Sequence, residues 1–384
     1  MNVAIASQAP AATIARRIRV MVVDDAVVVR GLFARWISAE PDLEMVASLR
    51  NAREAVDQVV SADPDVVLLD IEMPDLDGLT ALPLLLAKKR DLVVIMASTL
   101  TRRNAEISLR AIALGATDYI PKSSTNGETA GSLSFRRELI EKVRQLGLRA
   151  KRLRFTRTLG ARGARADKGL SEPASRHATA SSFRLRPMPA VPPRVLLIGA
   201  STGGPQALNA LLSKLDGVLE RAPVLITQHM PPMFTAILAE HLARLSKRDA
   251  HEAVDGEEVN AGTIYIAPGG KHMRVARRDG IAVIVIDDSE PVNFCKPSVD
   301  PLFSSAAQVW GSWALGLLLT GMGADGSRGS QALAAAGGTI LAQDEASSVV
   351  WGMPGQVANL GLCSAVLPLN DIAPKLARIF GGEP

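Results

Sequence analysis

The chain has 384 residues, of which 47% are hydrophobic and only 4% aromatic, so it is long enough for two domains with aliphatic cores. The net charge is +4, which could indicate a nucleic-acid partner, but the basic excess lies mainly between residues 147 and 192, so the charge says little about the folded parts. No apolar stretch approaches the ~18 residues of a membrane span, and the two cysteines show neither a zinc-ligand spacing nor a disulfide framework, so we expect a cytoplasmic protein without membrane insertion.

Residues 1–17 are predicted to form a disordered tail, because the two arginines at positions 16 and 17 follow the apolar stretch instead of preceding it as in a secretory signal. Strand-like and helix-like stretches then alternate through residues 18–146. This alternation predicts an α/β domain with a five-stranded parallel, doubly wound, flavodoxin-like sheet. The predicted strands are 18–23, 44–48, 66–69, 92–97 and 117–120.

Charged and polar residues stand at the carboxyl ends of these strands. Asp24 and Asp25 follow the first strand, Asp70 ends the third and Lys122 follows the fifth. Each alone is explained by a helix cap, a turn or a solvated charge. Because strand carboxyl ends share one edge of a parallel sheet, the set together predicts an acidic pocket that suits Mg²⁺ and phosphate oxygens. Ser98, at the end of the fourth strand, offers a hydroxyl to the same pocket.

The same motifs resemble the response-regulator receiver domain. They are Val-Asp-Asp at 23–25, Leu-Asp-Ile-Glu-Met-Pro at 69–74, Asp-Gly at 77–78, Met-Ala-Ser at 96–98, and Tyr119 three residues before Lys-Ser at 122–123. The resemblance implies that Asp70 accepts a phosphoryl group from a histidine kinase. It also implies that Asp24, Asp25 and Asp70, with the backbone carbonyl of Glu72, hold Mg²⁺, and that Ser98, Tyr119 and Lys122 respond to phosphorylation.

Residues 147–192 are rich in Arg and Lys in one half and in Ser, Pro and Ala in the other, which predicts a linker whose early part can extend the preceding helix. The α/β pattern resumes over 193–384 and predicts a second, mainly parallel doubly wound domain. Its predicted parallel strands are 194–199, 223–228, 314–320 and 339–342. Between them, 263–267, 272–277 and 281–287 are predicted to be antiparallel strands joined by Pro-Gly-Gly and Arg-Asp-Gly turns.

Ser201 stands in Gly-Ala-Ser-Thr-Gly at 199–203, between an apolar strand and a helix start. A serine on such a turn projects from the sheet edge beside free helix N–H groups, which suits a nucleophile with an oxyanion site. A glycine-rich turn that binds phosphate, as in a nucleotide-binding switch, is the alternative. The lysine that a phosphate loop carries after its glycines is missing here.

A serine nucleophile needs a base and an orienting carboxylate. His229 ends the strand after the Ser201 unit and is preferred over His241, His251 and His272, of which only His272 could approach the site. Asp325, in the glycine-rich stretch 319–326, is the preferred acid, and an Asp that caps the next helix is a strong alternative explanation. Weaker acid candidates are Asp300, Asp344 and Glu345. The order Ser, His, Asp differs from that of the α/β-hydrolases, where the histidine comes last.

Both domains together closely resemble the CheB family of chemotaxis-specific protein-glutamate methylesterases. The motifs are Ile-Gly-Ala-Ser-Thr-Gly-Gly at 198–204, Gln-His-Met-Pro at 228–231, Ala-Pro-Gly-Gly at 267–270, Pro-Ser-Val-Asp at 297–300 and Leu-Thr-Gly-Met-Gly-Ala-Asp-Gly at 319–326. The resemblance implies a triad of Ser201, His229 and Asp325, with Thr202 beside the nucleophile and the Met322 N–H as an oxyanion donor.

By the same resemblance, we expect hydrolysis of glutamate γ-methyl esters, and deamidation of glutamines, on methyl-accepting chemoreceptors. We expect a chemotaxis histidine kinase to be the phosphodonor and Mg²⁺ to be the receiver's cofactor, with none in the esterase site. The main rival is a DNA-binding response regulator, which would need a compact basic helical output domain in place of the α/β pattern at 193–384.

Overall fold

The structure is a computed structural model that describes residues 17–122, 133–166, 183–188 and 191–382. The predicted tail up to residue 16, Ser123 of the receiver motif, and the linker segment 167–182 lie outside the described residues. Among the helices described, none is both long enough and apolar enough to cross a bilayer.

The first domain is built on a parallel five-stranded sheet with the strand order β2-β1-β3-β4-β5, as the sequence predicts. The central strands are apolar and buried on both faces because helices cover both sides of the sheet. The strands are β1 (Ile18–Val23), β2 (Leu43–Leu49), β3 (Val66–Asp70), β4 (Val93–Thr99) and β5 (Asp118–Lys122).

Helices connect these strands, and polar caps define several of their starts. Asp77 accepts a 2.7 Å hydrogen bond from the N–H of Thr80 at the start of the third helix. The fifth helix is 34 residues long and continues from the first domain into the predicted linker. The helices are α1 (Val27–Ser38), α2 (Ala52–Ala62), α3 (Gly78–Lys88), α4 (Arg102–Ala113) and α5 (Leu133–Ala166).

The second domain contains a parallel seven-stranded sheet with the strand order β14-β13-β12-β6-β7-β9-β8 and a separate antiparallel pair, β10-β11. The strands are β6 (Val195–Ala200), β7 (Val224–Gln228), β8 (Asp249–Glu252), β9 (Thr263–Ile266), β10 (His272–Arg278), β11 (Ile281–Asp287), β12 (Ala314–Leu318), β13 (Thr339–Gln343) and β14 (Ala365–Leu367). Helices α6 (Gly204–Leu212), α7 (Asp216–Leu219), α8 (Phe234–Ser246), α9 (Val299–Trp310), α10 (Ser327–Ala335), α11 (Met353–Asn359) and α12 (Leu369–Phe380) surround them.

The prediction that residues 263–267 pair antiparallel with the hairpin is wrong. This segment is β9, which pairs parallel with both β7 and β8 in the main sheet. The chain leaves the sheet at the Pro-Gly-Gly that follows β9. Gly269 lies directly against the backbone of Pro232, since a Cβ at this glycine would lie 2.3 Å from the Pro232 nitrogen. That close backbone approach, and not a hairpin turn, explains the glycine.

The two domains pack against each other through α4, β5 and α5 of the first and α6 and α8 of the second. The ring of Tyr119 stacks on Phe234 with centroids 4.7 Å apart. Gln206 donates to the carbonyl oxygens of Ala116 and Thr117 at 2.8 and 3.1 Å. The face of the first domain that carries β5 is therefore buried on the second.

Candidate active site

Ser201 lies in the turn between β6 and α6, at the carboxyl edge of the second sheet. Its N–H donates to the Thr320 carbonyl at 3.1 Å, and its carbonyl accepts from Gln228 at 3.0 Å. Gly203 has a φ of +75°, which allows the chain to turn into α6 where a side chain would be strained. These contacts hold the serine at the wall of a cleft of about 1300 Å³ between the domains.

His229 follows β7, the neighbour of β6, and its N–H donates to the Ala200 carbonyl at 3.0 Å. The Nε2 atom of its ring lies 2.7 Å from Oδ2 of Asp325. His229 also lines the cleft that Ser201 lines, so the predicted hydroxyl, imidazole and carboxylate lie at one edge of the sheet.

Asp325 is buried and accepts several hydrogen bonds. Its Oδ1 accepts from the Ser298 hydroxyl at 2.7 Å and from the Asn293 amide at 2.9 Å, and its Oδ2 accepts from the Val299 N–H at 2.7 Å. The carboxylate therefore caps α9, a helix that precedes it in the chain, and not the helix that follows it. This position fixes the carboxylate behind the imidazole.

The hydroxyl of Ser201 forms no hydrogen bond to the His229 ring among the described residues. The second ring nitrogen, Nδ1, instead lies 3.5 Å from the Sγ atom of Cys295. The imidazole–carboxylate half of the predicted triad is therefore assembled, whereas the serine–imidazole half is not joined in this conformation.

The charges around His229 shift its pKa. Burial on its own lowers the pKa, but the neighbouring Cys295 sulfur and the Asp325 carboxylate more than offset it and raise the pKa to about 10. The pKa of Asp325 is lowered despite its burial, because His229, Ser298 and the Val299 N–H stabilise its charged form.

Two polar groups of residues that line the cleft have no hydrogen-bond partner among the described residues. The Oγ1 atom of Thr202 is buried without a hydrogen-bond partner in the part of the chain that the structure describes. The N–H of Met322 likewise has no acceptor among the described residues, while the preceding Gly321 N–H is used by the Val350 carbonyl. Both residues line the cleft.

The acidic pocket of the first domain also forms as predicted at the carboxyl edge of its sheet. Oxygens of Asp24, Asp25 and Asp70 lie within 4.8 Å of one another. The Nζ atom of Lys122 lies 2.6 Å from Asp70 and 2.7 Å from Asp24. Burial raises the pKa of Asp70 to about 6, against the opposing charge of Lys122. The closely spaced carboxylate oxygens suit Mg²⁺, and the Lys122 ammonium beside them suits a phosphoryl group.

The remaining predicted switch residues lie in different surroundings. Ser98 is buried beside the pocket and accepts a 3.1 Å hydrogen bond from Ser108 of α4. Tyr119 is buried against Phe234 of the second domain. The N–H of Glu72 bonds to the Asp70 carboxylate and lowers its pKa.

Comparison with known proteins identifies the family of this chain. A family model described as CheB methylesterase matches residues 196–376, and one described as response regulator receiver domain matches residues 20–132. A relative from Rhodopseudomonas palustris (strain BisB5), named protein-glutamate methylesterase/protein-glutamine glutaminase, is 58% identical over 388 residues and 100% of both chains. The chain belongs to the CheB methylesterase family.

Other CheB relatives are more distant. One from Paramagnetospirillum magneticum, named protein-glutamate methylesterase/protein-glutamine glutaminase 1, is 48% identical. The match covers 94% of this chain and 96% of that relative. The crystal structure of the Thermotoga maritima CheB methylesterase catalytic domain is 39% identical, with a TM-score of 0.47, and covers 49% of this chain and 100% of that one. The family models and the full-length relative confirm the predicted family, and the two parallel sheets confirm the predicted fold class.

The rival histidines have other partners in this CheB chain. His272 is fully buried, with Nδ1 accepting from the Ser298 N–H at 3.1 Å and Nε2 facing the Glu290 carbonyl. His251 lies in β8, and its Nε2 atom lies 3.0 Å from the Glu257 carboxylate. His241 is half-buried in α8. All three lie outside the lining of the cleft.

The rival carboxylates also have structural partners. Asp300 joins α9 to α10 by accepting from the Gly329 N–H at 2.7 Å. Asp344 accepts from the N–H of Ser347 at 3.0 Å, and Glu345 pairs with Arg152 of α5. Sequence reasoning missed Cys295, which contacts His229 across 66 positions in the chain, a separation that no local motif reveals.

Proposed function

We propose that this chain is a phosphorylation-activated protein-glutamate methylesterase and protein-glutamine glutaminase, in which Ser201, His229 and Asp325 carry out the chemistry. The observation that carries the proposal is the 2.7 Å contact between His229 Nε2 and a buried, fully hydrogen-bonded Asp325, beside a serine on a strand-to-helix turn. The full-length relatives with that name supply the substrate class.

In the first step, the Ser201 oxygen attacks the γ-carbonyl carbon of a glutamate methyl ester. The Nδ1 of His229 turns from Cys295 toward the serine, takes its proton and gives it to the departing methanol. Asp325 keeps the other ring nitrogen protonated and stabilises the imidazolium. Water then attacks the acyl-serine and releases glutamate. The same steps on a glutamine side chain release ammonia.

The oxyanion of the tetrahedral intermediate needs donors that are free before substrate arrives. The Thr202 hydroxyl and the Met322 N–H meet this requirement, because neither has a partner among the described residues. Loss of one such donor typically costs about 3 kcal/mol of transition-state stabilisation.

Regulation follows from the acidic pocket of the receiver. Asp70 is the phosphoryl acceptor, and Asp24, Asp25, Asp70 and the carbonyl of Glu72 would hold Mg²⁺, which supplies positive charge for phosphoryl oxygens. Lys122 gives the phosphate a counter-charge, and Ser98 and Tyr119 change position in response. Because β5 leads from Lys122 to the Tyr119–Phe234 contact, this change reaches the domain interface.

The partners are methyl-accepting chemoreceptors as substrate and a chemotaxis histidine kinase as phosphodonor, in the cytoplasm. A DNA-binding output is disfavoured because residues 193–382 form a mainly parallel α/β domain around the Ser201 cleft. A nucleotide switch is disfavoured because no lysine directly follows the glycines at 199–204. The domain division that we propose is a receiver over 18–146, a linker over 147–192 and a catalytic domain over 193–384.

The proposal is tested by methanol release from membranes that carry methylated chemoreceptors. Ser201→Ala should reduce release to background, because no other hydroxyl occupies that turn position. Ser213→Ala is the matched control, since Ser213 is an exposed serine at the other end of α6 and should leave the rate unchanged. Release by Ser201→Ala at the wild-type rate would refute the nucleophile.

A further inference from the structure

A thiol and a histidine nitrogen face each other inside the cleft. The Sγ atom of Cys295 lies 3.5 Å from Nδ1 of His229, and ligand atoms of Cys295, His229 and Asp325 all lie within 4.8 Å of one another. A sulfur, an imidazole and a carboxylate are the side chains that bind Zn²⁺ and related thiophilic cations. Both Cys295 and His229 are partly accessible from the cleft.

The imidazole is held in the orientation that a metal ligand requires. An ionised carboxylate only accepts hydrogen bonds, so the 2.7 Å contact with Asp325 assigns the ring proton to Nε2. In the neutral form of the ring, Nδ1 then carries the lone pair and faces Cys295. A carboxylate behind the ring is the usual outer partner of a metal-binding histidine, since it fixes the tautomer and raises the basicity of the other nitrogen.

The thiol is held equally firmly by its own turn. Val292 and Cys295 exchange backbone hydrogen bonds of 3.1 and 2.9 Å across a tight turn. Within that turn, the Asn293 amide donates to both Asp300 and Asp325, at 2.8 and 2.9 Å. The turn that carries Cys295 is thus tied to the carboxylate that positions His229 in this conformation.

The spacing of the two ligand atoms matches one edge of a tetrahedral zinc site. Bond lengths of about 2.3 Å to sulfur and about 2.0 Å to nitrogen place the two ligand atoms about 3.5 Å apart at a tetrahedral angle. The Cys295–His229 distance is also 3.5 Å. The separation of the two atoms therefore already suits a metal ion, whose remaining positions would be open to water in the cleft.

We infer that Cys295 Sγ and His229 Nδ1 form an inhibitory two-point site for a thiophilic divalent cation of the zinc class. Binding forms the sulfur–metal and nitrogen–metal bonds and releases the thiol proton to solvent. The metal occupies the nitrogen that must take the proton of Ser201, so the esterase is inactive while it is bound. The inhibitory consequence rests on the proposed function, whereas the binding itself does not.

The test is a titration of the full-length protein with Cd²⁺, which reports thiolate ligation by an ultraviolet charge-transfer band. We expect a band that saturates at one equivalent in the wild type and in Cys363→Ala, and its loss in Cys295→Ala. Cys363 is the matched control because it is buried in the core of the second domain. Cys295→Ser, which keeps the size of the side chain, should also lose the band, so the test survives if the alanine variant folds poorly.

Zn²⁺ in the same experiment should abolish methanol release from methylated receptor membranes, with recovery on addition of a chelator. Cys295→Ala and Cys295→Ser should keep their metal-free rates in the presence of Zn²⁺. A wild type without the band, or a band that persists in both Cys295 variants, overturns the site. If the band behaves as expected but the protein releases no methanol under any condition, the metal site stands and the proposed esterase function fails.

Discussion

At the scale of single residues, the site depends on how the two nitrogens of His229 are used. Nε2 is committed to Asp325, which itself is held by Ser298, Asn293 and the start of α9. Nδ1 faces Cys295 in the resting structure, although catalysis needs it at Ser201. The Cys295 sulfur and the Ser201 hydroxyl therefore compete for the same nitrogen of His229.

The first prediction concerns the pH dependence of Cys295→Ala. The Cys295 sulfur is among the groups that raise the pKa of His229 to about 10, while burial lowers it. Removing the sulfur lowers that pKa, so the deprotonated base becomes available at lower pH. The rising limb of the pH profile of kcat/KM should therefore move to lower pH. Cys363→Ala is the control, and a limb that stays in place in Cys295→Ala contradicts the coupling.

At the scale of elements, apolar runs in the sequence predict most strands, because buried parallel strands are continuously hydrophobic. β8 was missed, since Asp249–Glu252 contains only one apolar residue. The direction of β9 was missed because a Pro-Gly-Gly that follows a short strand is typical of a hairpin turn. In the structure these glycines instead allow contact with Pro231 and Pro232. Such long-range packing is not encoded in a local pattern.

The same reasoning explains which parts of the site are predictable. Ser201, His229 and Asp70 follow directly from strand ends, which meet at one edge of a parallel sheet. Asp325 accepts a hydrogen bond from the start of α9, which depends on how that helix packs against the sheet. The contact between Cys295 and His229 depends on a turn between β11 and α9. Neither has a signal in spacing or composition.

The second prediction concerns Gly321, which follows β12 and lies against the nucleophile. A Cβ on Gly321 would lie 2.9 Å from the Ser201 Cβ and 2.5 Å from the Met353 sulfur. Gly321→Ala should therefore displace Ser201 and lower kcat for methanol release by about 100-fold. Gly217→Ala has open space around its Cβ and should keep the wild-type rate. Unchanged kcat in Gly321→Ala would show that the position of the serine tolerates this shift.

At the scale of the whole molecule, the receiver and the catalytic domain share a buried interface that reaches the cleft. Val350 of the catalytic domain belongs to the same buried hydrophobic cluster as core residues of the first domain. Arg137 of α5 lies 4.9 Å from the ring centroid of Phe294, which is next to Cys295. Receiver residues such as Arg137 and Lys142 line the same cleft as Ser201. A movement of the receiver therefore changes access to the active site.

The third prediction concerns Mg²⁺ and stability. The folded-state pKa of Asp70 is about 6, above its ordinary 3.8, so this carboxyl stabilises the fold when protonated and loses that contribution as pH rises through 6. Mg²⁺ offsets the loss by binding the ionised carboxylates. Thermal melts should show a larger Mg²⁺-dependent rise in Tm above pH 6 than below it. Asp70→Asn should show a much smaller rise, and an equal rise in both proteins would contradict the site.

The most direct test of the account is methanol release from methylated receptor membranes with and without a small-molecule phosphodonor. The wild type should release methanol faster when Mg²⁺ and the phosphodonor are present. Asp70→Asn should keep the basal rate but should not respond to the phosphodonor, because its Ser201 site is intact and its phosphoryl acceptor is missing. An equal phosphodonor response in Asp70→Asn and the wild type would contradict control of the esterase by the receiver.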